Sequence, residues 1–369
     1  MRSKGRIGVL IVDDSALIRR LLTDLLSNEP SIEVLGTAGD AYAARDKIKA
    51  LNPDVLTLDV EMPKMDGVNF LRNLMRLRPM PVIMVSSLTE DGASITLDAL
   101  AAGAVDYLPK PKIDVAATIG DYRDLLIMKI KAAAKARPRP FLAPLDVPKR
   151  QSVEAVLPKR APRHFRTTDR IIAIGASTGG TEAIKEVLMG FEPDTPGVMI
   201  AQHIPKAFSA QFAKRMNDSC RMTVFEAEDG QQVLPGHVYI APGDRHLMLL
   251  RDGARYICSL DDGLLVNRHK PSVDVLFRAV AKCAGPNAIG IIMTGMGDDG
   301  ARGLLEMRQA GACTLAQDEA SCVVFGMPKE AIKLGAAERQ IPLGQIAQAL
   351  VSWGEDRPAA VSSYPERGR

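Results

Sequence analysis

Two runs of short apolar stretches, each stretch followed by residues at helical spacing, organise the chain. The first run comprises "RIGVLIV", "IEVLGTA", "DVLTLDV", "PVIMVSS" and "AVDYLP", all before residue 112. Helical periods separate them, as in Ala16 to Leu26, which sets Leu17, Leu21, Leu22 and Leu25 on one face. Alternation of this kind predicts a parallel sheet wrapped by helices. From Arg170 a second run begins: "IIAIGAS" then "EAIKEVLMG", "GVMIAQH" then "FSAQFAKRM", "AIGIIMTGMGDDG" then "ARGLLEMRQAG". Within it, "HVYIAPGDRHLMLLRDGARYICSL" alternates and is broken by Pro-Gly and Asp-Gly, which predicts a β-hairpin insertion. The fold class is therefore α/β, as two doubly wound parallel-sheet domains.

A length of 369 residues agrees with two domains, since one domain takes roughly 100 to 200. At 46% hydrophobic and 25% charged, with no apolar run near the roughly 18 residues of a membrane span, the composition is that of a soluble globular protein. "IGVLIV" is too short for a signal peptide's apolar region and runs straight into Asp13 and Asp14, so a cytoplasmic location is expected. Five cysteines without C-x-x-C spacing argue against a disulfide framework or a zinc site and for buried, reduced thiols. Charge is unevenly spread. Residues 1–125 carry fifteen basic against eighteen acidic residues, residues 126–169 eleven against three, and residues 170–369 twenty-one against twenty-three. The basic middle, with six prolines after Lys135 and no sustained apolar period, reads as an extended linker. It lacks the aromatic interleaving of a nucleic-acid surface.

In doubly wound sheets chemistry gathers beyond the carboxyl ends of the strands. In the first domain those ends hold Asp13, Asp14, Asp59, Ser86 and Lys110. Three carboxylates converging at one edge repel one another unless a hard cation lies between them, and magnesium suits oxygen ligands. An Asp beside Mg²⁺ can accept a phosphoryl group while the metal and a Lys neutralise the transferring oxygens, and Asp59 fits that role. Taken one at a time, the same residues read as helix caps and a solvated lysine. Taken together, "VDDS", "LDVEMPKMDG", "VSSLT" and "DYLPKP" resemble the receiver domain of two-component response regulators, a flavodoxin-like fold, over about 120 residues. The resemblance implies Mg²⁺ held by Asp13, Asp14 and Asp59, phosphorylation at Asp59, and Ser86 and Lys110 on the phosphoryl oxygens. It places Tyr107 at the aromatic switch position.

In the second domain Ser177 follows an apolar run at a strand-to-helix turn, where three roles compete. A phosphate cradle needs a Lys where Thr181 stands. A helix cap needs only a hydroxyl. A nucleophile turn fits Gly175-Ala176-Ser177-Thr178-Gly179 as G-x-S-x-G, and requires an imidazole and a carboxylate at the same edge. "GVMIAQH" ends on His203, and "GIIMTGMGDDG" reaches Asp298 and Asp299 just past its strand. Both strands are expected as parallel neighbours of the Ser177 strand. The backbone of "MTGMGDDG" offers N–H groups for an oxyanion, with Met296 the candidate donor. Capping of the following helix remains open for both Asp298 and Asp299. His164, His237, His246 and His269 are placed less well for catalysis.

"IGASTGGTEAI", "AQHIPKAFSAQFA", "YIAPGDRH", "IIMTGMGDDGARGL" and "VVFGMPKEAI" closely resemble the catalytic domain of chemotaxis response-regulator protein-glutamate methylesterases. With the receiver and linker the resemblance runs to about residue 350. It implies a Ser177, His203, Asp299 triad with Met296 at the oxyanion site. It further implies hydrolysis of glutamate γ-methyl esters, and deamidation of particular glutamines, on the cytoplasmic helices of chemoreceptors. Activation by a chemotaxis histidine kinase would act through a receiver that covers the active site until it is phosphorylated. No cofactor is expected for the ester chemistry, and neither nucleic-acid binding nor membrane insertion. The expected layout is a receiver over 1–124, a basic linker over 125–168, a Rossmann-like catalytic domain with its hairpin over 169–355, and a frayed tail over 356–369. Two other readings remain: the same esterase acting on a non-receptor signalling protein, and a response regulator with a non-catalytic binding output domain.

Overall fold

The computed structural model describes residues 5–63, 65–87, 89–111, 119–136 and 170–356. The first domain has five strands, β1 (Ile7–Val12), β2 (Ile32–Ala38), β3 (Val55–Asp59), β4 (Val82–Ser86) and β5 (Asp106–Pro109). Helices α1 (Ala16–Ser27), α2 (Ala41–Leu51), α3 (Gly67–Leu77), α4 (Glu90–Ala101) and α5 (Ile119–Ala133) connect and cover them. The strand order is β2-β1-β3-β4-β5, all parallel, which is the flavodoxin-like order. β3 and β4 are buried along their full length, because helices lie on both faces. Side chains of Ser15, Asp40, Asp66 and Thr89 cap α1 to α4 by accepting first-turn N–H groups.

The second domain contains β6 (Ile171–Ala176), β7 (Gly197–Gln202), β8 (Thr223–Glu226), β9 (His237–Ile240), β10 (His246–Asp252), β11 (Arg255–Asp261), β12 (Ala288–Ile292), β13 (Cys313–Gln317) and β14 (Arg339–Ile341). Its helices are α6 (Gly180–Met189), α7 (Lys206–Ser219), α8 (Val273–Ala284), α9 (Ala301–Gln309), α10 (Met327–Lys333) and α11 (Leu343–Asp356). Seven parallel strands run in the order β14-β13-β12-β6-β7-β9-β8. The chain moves from β6 to β7 on one side and later returns to β12 on the other. β6 therefore stands at a topological switch point, where a crevice opens beyond the strand ends.

Four expectations need correction. The buried stripe of α1 is Ile18, Leu22, Leu25 and Leu26, while Leu17 is 57% exposed; the helix is turned so that the i, i+4, i+7, i+8 row faces the sheet. The stretch expected as one hairpin is divided. β9 joins the main sheet beside β7 and β8, and only the strands β10 and β11 pair antiparallel, turning at Gly253-Ala254. The linker does not begin at 125, because α5 continues to Ala133 and buries Leu126, Ile127, Ile130 and Ala133. Residue 356, the first of the expected tail, still belongs to α11, whereas residues 137–169 and 357–369 lie outside the described residues. None of the five cysteines forms a disulfide, and Cys283 is only half-buried. No helix among the described residues is long and apolar enough to cross a membrane.

The α4-β5-α5 side of the first domain meets the carboxyl edge of the second. Tyr107 stacks on Phe208 of α7 with ring centroids 4.8 Å apart. Arg215 of α7 pairs with Asp98 of α4 at 2.6 Å. Asp106 of β5 accepts hydrogen bonds from Lys129 of α5 and from the Thr178 hydroxyl.

Candidate active site

Ser177 leaves the end of β6 into a turn fixed from both sides. Its N–H donates to the Thr294 carbonyl at 3.0 Å, and its own carbonyl accepts from Gly180 N–H at 2.7 Å. Gly179 has φ +75°, a left-handed bend that a side chain would strain. At Gly295 a Cβ would lie 2.8 Å from the Ser177 Cβ, so the loop after β12 approaches Ser177 only because this residue has no side chain. Gln202, the last residue of β7, donates from Nε2 to the carbonyls of Ser177 (2.9 Å) and His203 (3.3 Å), tying the two strand ends together.

His203 stands between hydroxyl and carboxylate. Its Nδ1 is 3.1 Å from Ser177 Oγ, and its Nε2 is 2.8 Å from Asp299 Oδ2. A carboxylate accepts only, so the proton belongs on Nε2, which leaves Nδ1 to accept from the serine hydroxyl. The ring is used in the opposite sense from the chymotrypsin arrangement, where Nε2 faces the serine.

Asp299 is 1% exposed and belongs by contact to a helix distant in sequence. Its oxygens accept from the Ser272 hydroxyl (2.8 Å), Val273 N–H (2.7 Å), Asp274 N–H (3.3 Å) and Asn267 Nδ2 (2.8 Å) as well as His203. These are the cap and first turn of α8, where the helix dipole favours negative charge. Burial disfavours the charged carboxylate, but hydrogen bonds from His203, Asn267 and Val273 outweigh it and hold Asp299 below the usual range. α9, by contrast, starts at Gly300 with no side-chain cap, so neither Asp298 nor Asp299 caps the helix that follows them. Asp298 is exposed.

A cavity of about 280 Å3 spans the junction of the two domains and is lined by Ser177, His203 and Met296 together with Tyr107 and Lys129. Met296 is half-buried, and its N–H has no acceptor among the described residues.

The first domain has a separate carboxylate centre. Oxygens of Asp13, Asp14 and Asp59 lie within 4.8 Å of one another, with Asp13 and Asp59 buried and Asp14 exposed. Lys110 Nζ is 2.9 Å from Asp59 Oδ2 and 4.0 Å from Asp13 Oδ2. Burial, and next the Asp59 charge, raise the Asp13 carboxyl to about 6. Burial also raises Asp59, against the lowering effect of Lys110. Asp13 Oδ2 is buried without a hydrogen-bond partner. An orphaned anionic oxygen among crowded carboxylates fits a hard divalent cation such as Mg²⁺. Ser86 is buried at the end of the neighbouring strand β4.

The family model described as CheB methylesterase matches residues 172–350, and the response regulator receiver domain model matches residues 9–117. A Geobacter metallireducens protein named protein-glutamate methylesterase/protein-glutamine glutaminase 1 is 58% identical over 352 residues, covering 95% of this chain and 97% of that protein. The chain belongs to the CheB methylesterase family. A Xanthomonas campestris relative of the same name is 59% identical over 349 residues, or 93% of this chain and 96% of its own length. The solved CheB methylesterase catalytic domain of Thermotoga maritima is 35% identical and covers 51% of this chain and all of its own, with a TM-score of 0.50.

In this member of the CheB methylesterase family the structure brings Ser177, His203, Asp299 and Met296 to one edge, and Asp13, Asp14, Asp59 and Lys110 to another. Tyr107 faces the second domain, stacked on Phe208. Sequence reasoning missed Asn267, Ser272, Gln202 and His269. Ser272 had a signal, as a cap residue before the apolar period "VDVLFRAV". Nothing in that signal indicated that the helix start points at a carboxylate 27 residues further on.

Proposed function

We infer that the chain is a phosphorylation-activated protein-glutamate methylesterase and protein-glutamine glutaminase that removes γ-methyl esters from chemoreceptor glutamates. The observation that carries this reading is the continuous hydrogen-bonded line from Ser177 Oγ through His203 to Asp299, drawn from three adjacent parallel strands. A serine hydroxyl is a weak nucleophile until a base takes its proton. Ser177 Oγ attacks the side-chain carbonyl while His203 Nδ1 accepts the hydroxyl proton. Asp299, kept ionised by the start of α8, stabilises the imidazolium through Nε2–H. The oxyanion meets the Met296 N–H, a donor of a kind worth about 3–4 kcal/mol. As the tetrahedral intermediate collapses, the C–O bond to the methoxy group (or the C–N bond of a glutamine amide) breaks and His203 gives its proton to that leaving atom, releasing methanol or ammonia; water then attacks the glutamyl-enzyme by the reverse path.

Asp59 is the phosphoryl acceptor, and Asp13, Asp14 and Asp59 are the groups that would hold Mg²⁺. A bound Mg²⁺ supplies charge neutralisation for the transferring oxygens. Lys110, now paired with Asp59, stays to meet the new dianion, and the Ser86 hydroxyl lies one strand away. The phosphodonor is a chemotaxis histidine kinase, the substrate the cytoplasmic helices of chemoreceptors, and the compartment the cytoplasm. Without phosphorylation, the Asp106 to Thr178 and Tyr107 to Phe208 contacts hold the receiver over the cavity that contains Ser177.

The test is methanol release from methylated receptor membranes, with and without a small phosphodonor. Wild-type release should rise with the donor, and Ser177→Ala should abolish release while Asp59 is still phosphorylated. Undiminished release by Ser177→Ala would refute the assignment.

A further inference from the structure

The face of the catalytic imidazole is covered by a second one. His269 lies over His203 with ring centroids 3.6 Å apart and planes 9° from parallel. The loop that carries it is held firmly. Val266 and His269 exchange backbone hydrogen bonds, Lys270 Nζ donates to the carbonyls of Asp262 and Gly263, and Asn267 and Arg268 adopt left-handed φ of 52° and 68°. The same loop supplies Asn267 to Asp299, so one segment touches both the base and the carboxylate that orients it.

We propose that His269 is a positioning residue for the acyl-transfer reaction: stacked on His203, it fixes the ring plane in which Nδ1 meets Ser177 and Nε2 meets Asp299. This rests on the esterase reading. A histidine ring turns about a broad torsion, so its rotamer alone does not set its plane. The hydrogen bonds at Nδ1 and Nε2 weaken steeply as the ring tilts out of line. The stack restrains that tilt from the perpendicular direction, where neither bond acts.

The charge state of His269 agrees with this role. Burial, and then His203, push its imidazole down to about 3, with Lys129 and Arg268 also lowering it and Asp299 opposing. His269 is therefore neutral when His203 gains its proton, and presents a π face to the imidazolium.

The experiment compares His269→Ala and His269→Phe in the full chain, phosphorylated, on methylated receptor membranes. The alanine variant should lose about tenfold in kcat with KM changed less than about twofold, and phenylalanine should restore kcat to within about threefold of wild type. The bond between His203 and Asp299 gives a second readout, its downfield proton resonance. That signal should be sharp in wild type and His269→Phe and broadened or lost in His269→Ala. Wild-type kcat in the alanine variant would overturn the proposal, as would a phenylalanine variant as slow as alanine. The resonance does not depend on which ester is cleaved. A wild-type chain that shows it yet releases no methanol would fault the substrate reading, while the three-way comparison of the resonance still decides the role of the stack.

Discussion

At the scale of single residues, the site depends on keeping one carboxylate charged and one imidazole neutral. Asp299→Asn preserves shape but can donate toward Nε2, which favours the wrong tautomer of His203. It is expected to lower kcat by about 10³ to 10⁴ with KM little changed, by analogy with the serine-protease substitution; steady-state methanol release would check it. His269 also predicts a pH effect on stability. Its folded-state pKa, about 3, lies below the ordinary 6.5, so between those values the unfolded chain binds a proton that the native chain does not. Stability from this group is complete above about pH 6.5 and falls as the pH drops toward 3. His269→Phe removes the titrating group, facing His203, Asp299, Lys129 and Arg268 as before. Denaturant unfolding at several pH values should therefore show a loss on acidification shallower than wild type by up to about 1.4 kcal/mol per pH unit in that window. Equal slopes would show that His269 is not buried neutral.

At the scale of elements, α8 carries the most consequence. Its Ser272 cap accepts from Val275 N–H and donates to Asp299, joining helix initiation to the proposed triad. Ser272→Ala should cost about 1 kcal/mol as a lost cap, lowering the melting temperature by about 2–4 °C, and should also reduce kcat. A thermal scan and a rate assay separate the two effects. The same helix shows where sequence reasoning stops. The positions of Ser177 and His203 were legible because each directly follows a strand, and strand ends follow from apolar runs bounded by turns; Asp299, seven residues beyond β12, was singled out from Asp298 only by the family resemblance. The parallel neighbours of β6 were legible for the same reason. Asn267 and His269 were not, because an irregular loop between a hairpin and a helix has no period to announce where its side chains go. The partition of β9 from the hairpin was hidden for a related reason. A four-residue apolar alternation reads alike in a hairpin and at the side of a parallel sheet, and only the packing of Val238, Tyr239 and Ile240 decides. In α1 the leucines suggested one phase, but Ile18 and Leu26 show that the sheet selects the row it can bury.

For the whole molecule, the contact between domains, through which regulation is proposed, includes an ion pair of modest strength. The Arg215–Asp98 pair is half-exposed on the Asp98 side and is worth at most about 1 kcal/mol. Asp98→Arg should therefore raise methanol release by the unphosphorylated chain by about two- to fivefold, and Asp98→Arg with Arg215→Asp should bring it back. No rise in the single variant would mean that α4 and α7 do not hold the closed form. Asp106 binds Lys129 of its own domain and the hydroxyl of Thr178, the residue next to the nucleophile. The anchoring of Asp299 to the head of α8 also bears on transplantation. A designer who grafted only the three strand ends onto another doubly wound scaffold would carry over the hydroxyl, the imidazole and the acid. The graft would leave behind the segment from 267 to 274 that keeps the acid ionised and the imidazole flat. The smallest portable version of the proposed chemistry is thus a triad with a helix attached, and replacing residues 267–274 by an unrelated loop would leave Ser177, His203 and Asp299 in the chain but strip Asp299 of the donors that hold it.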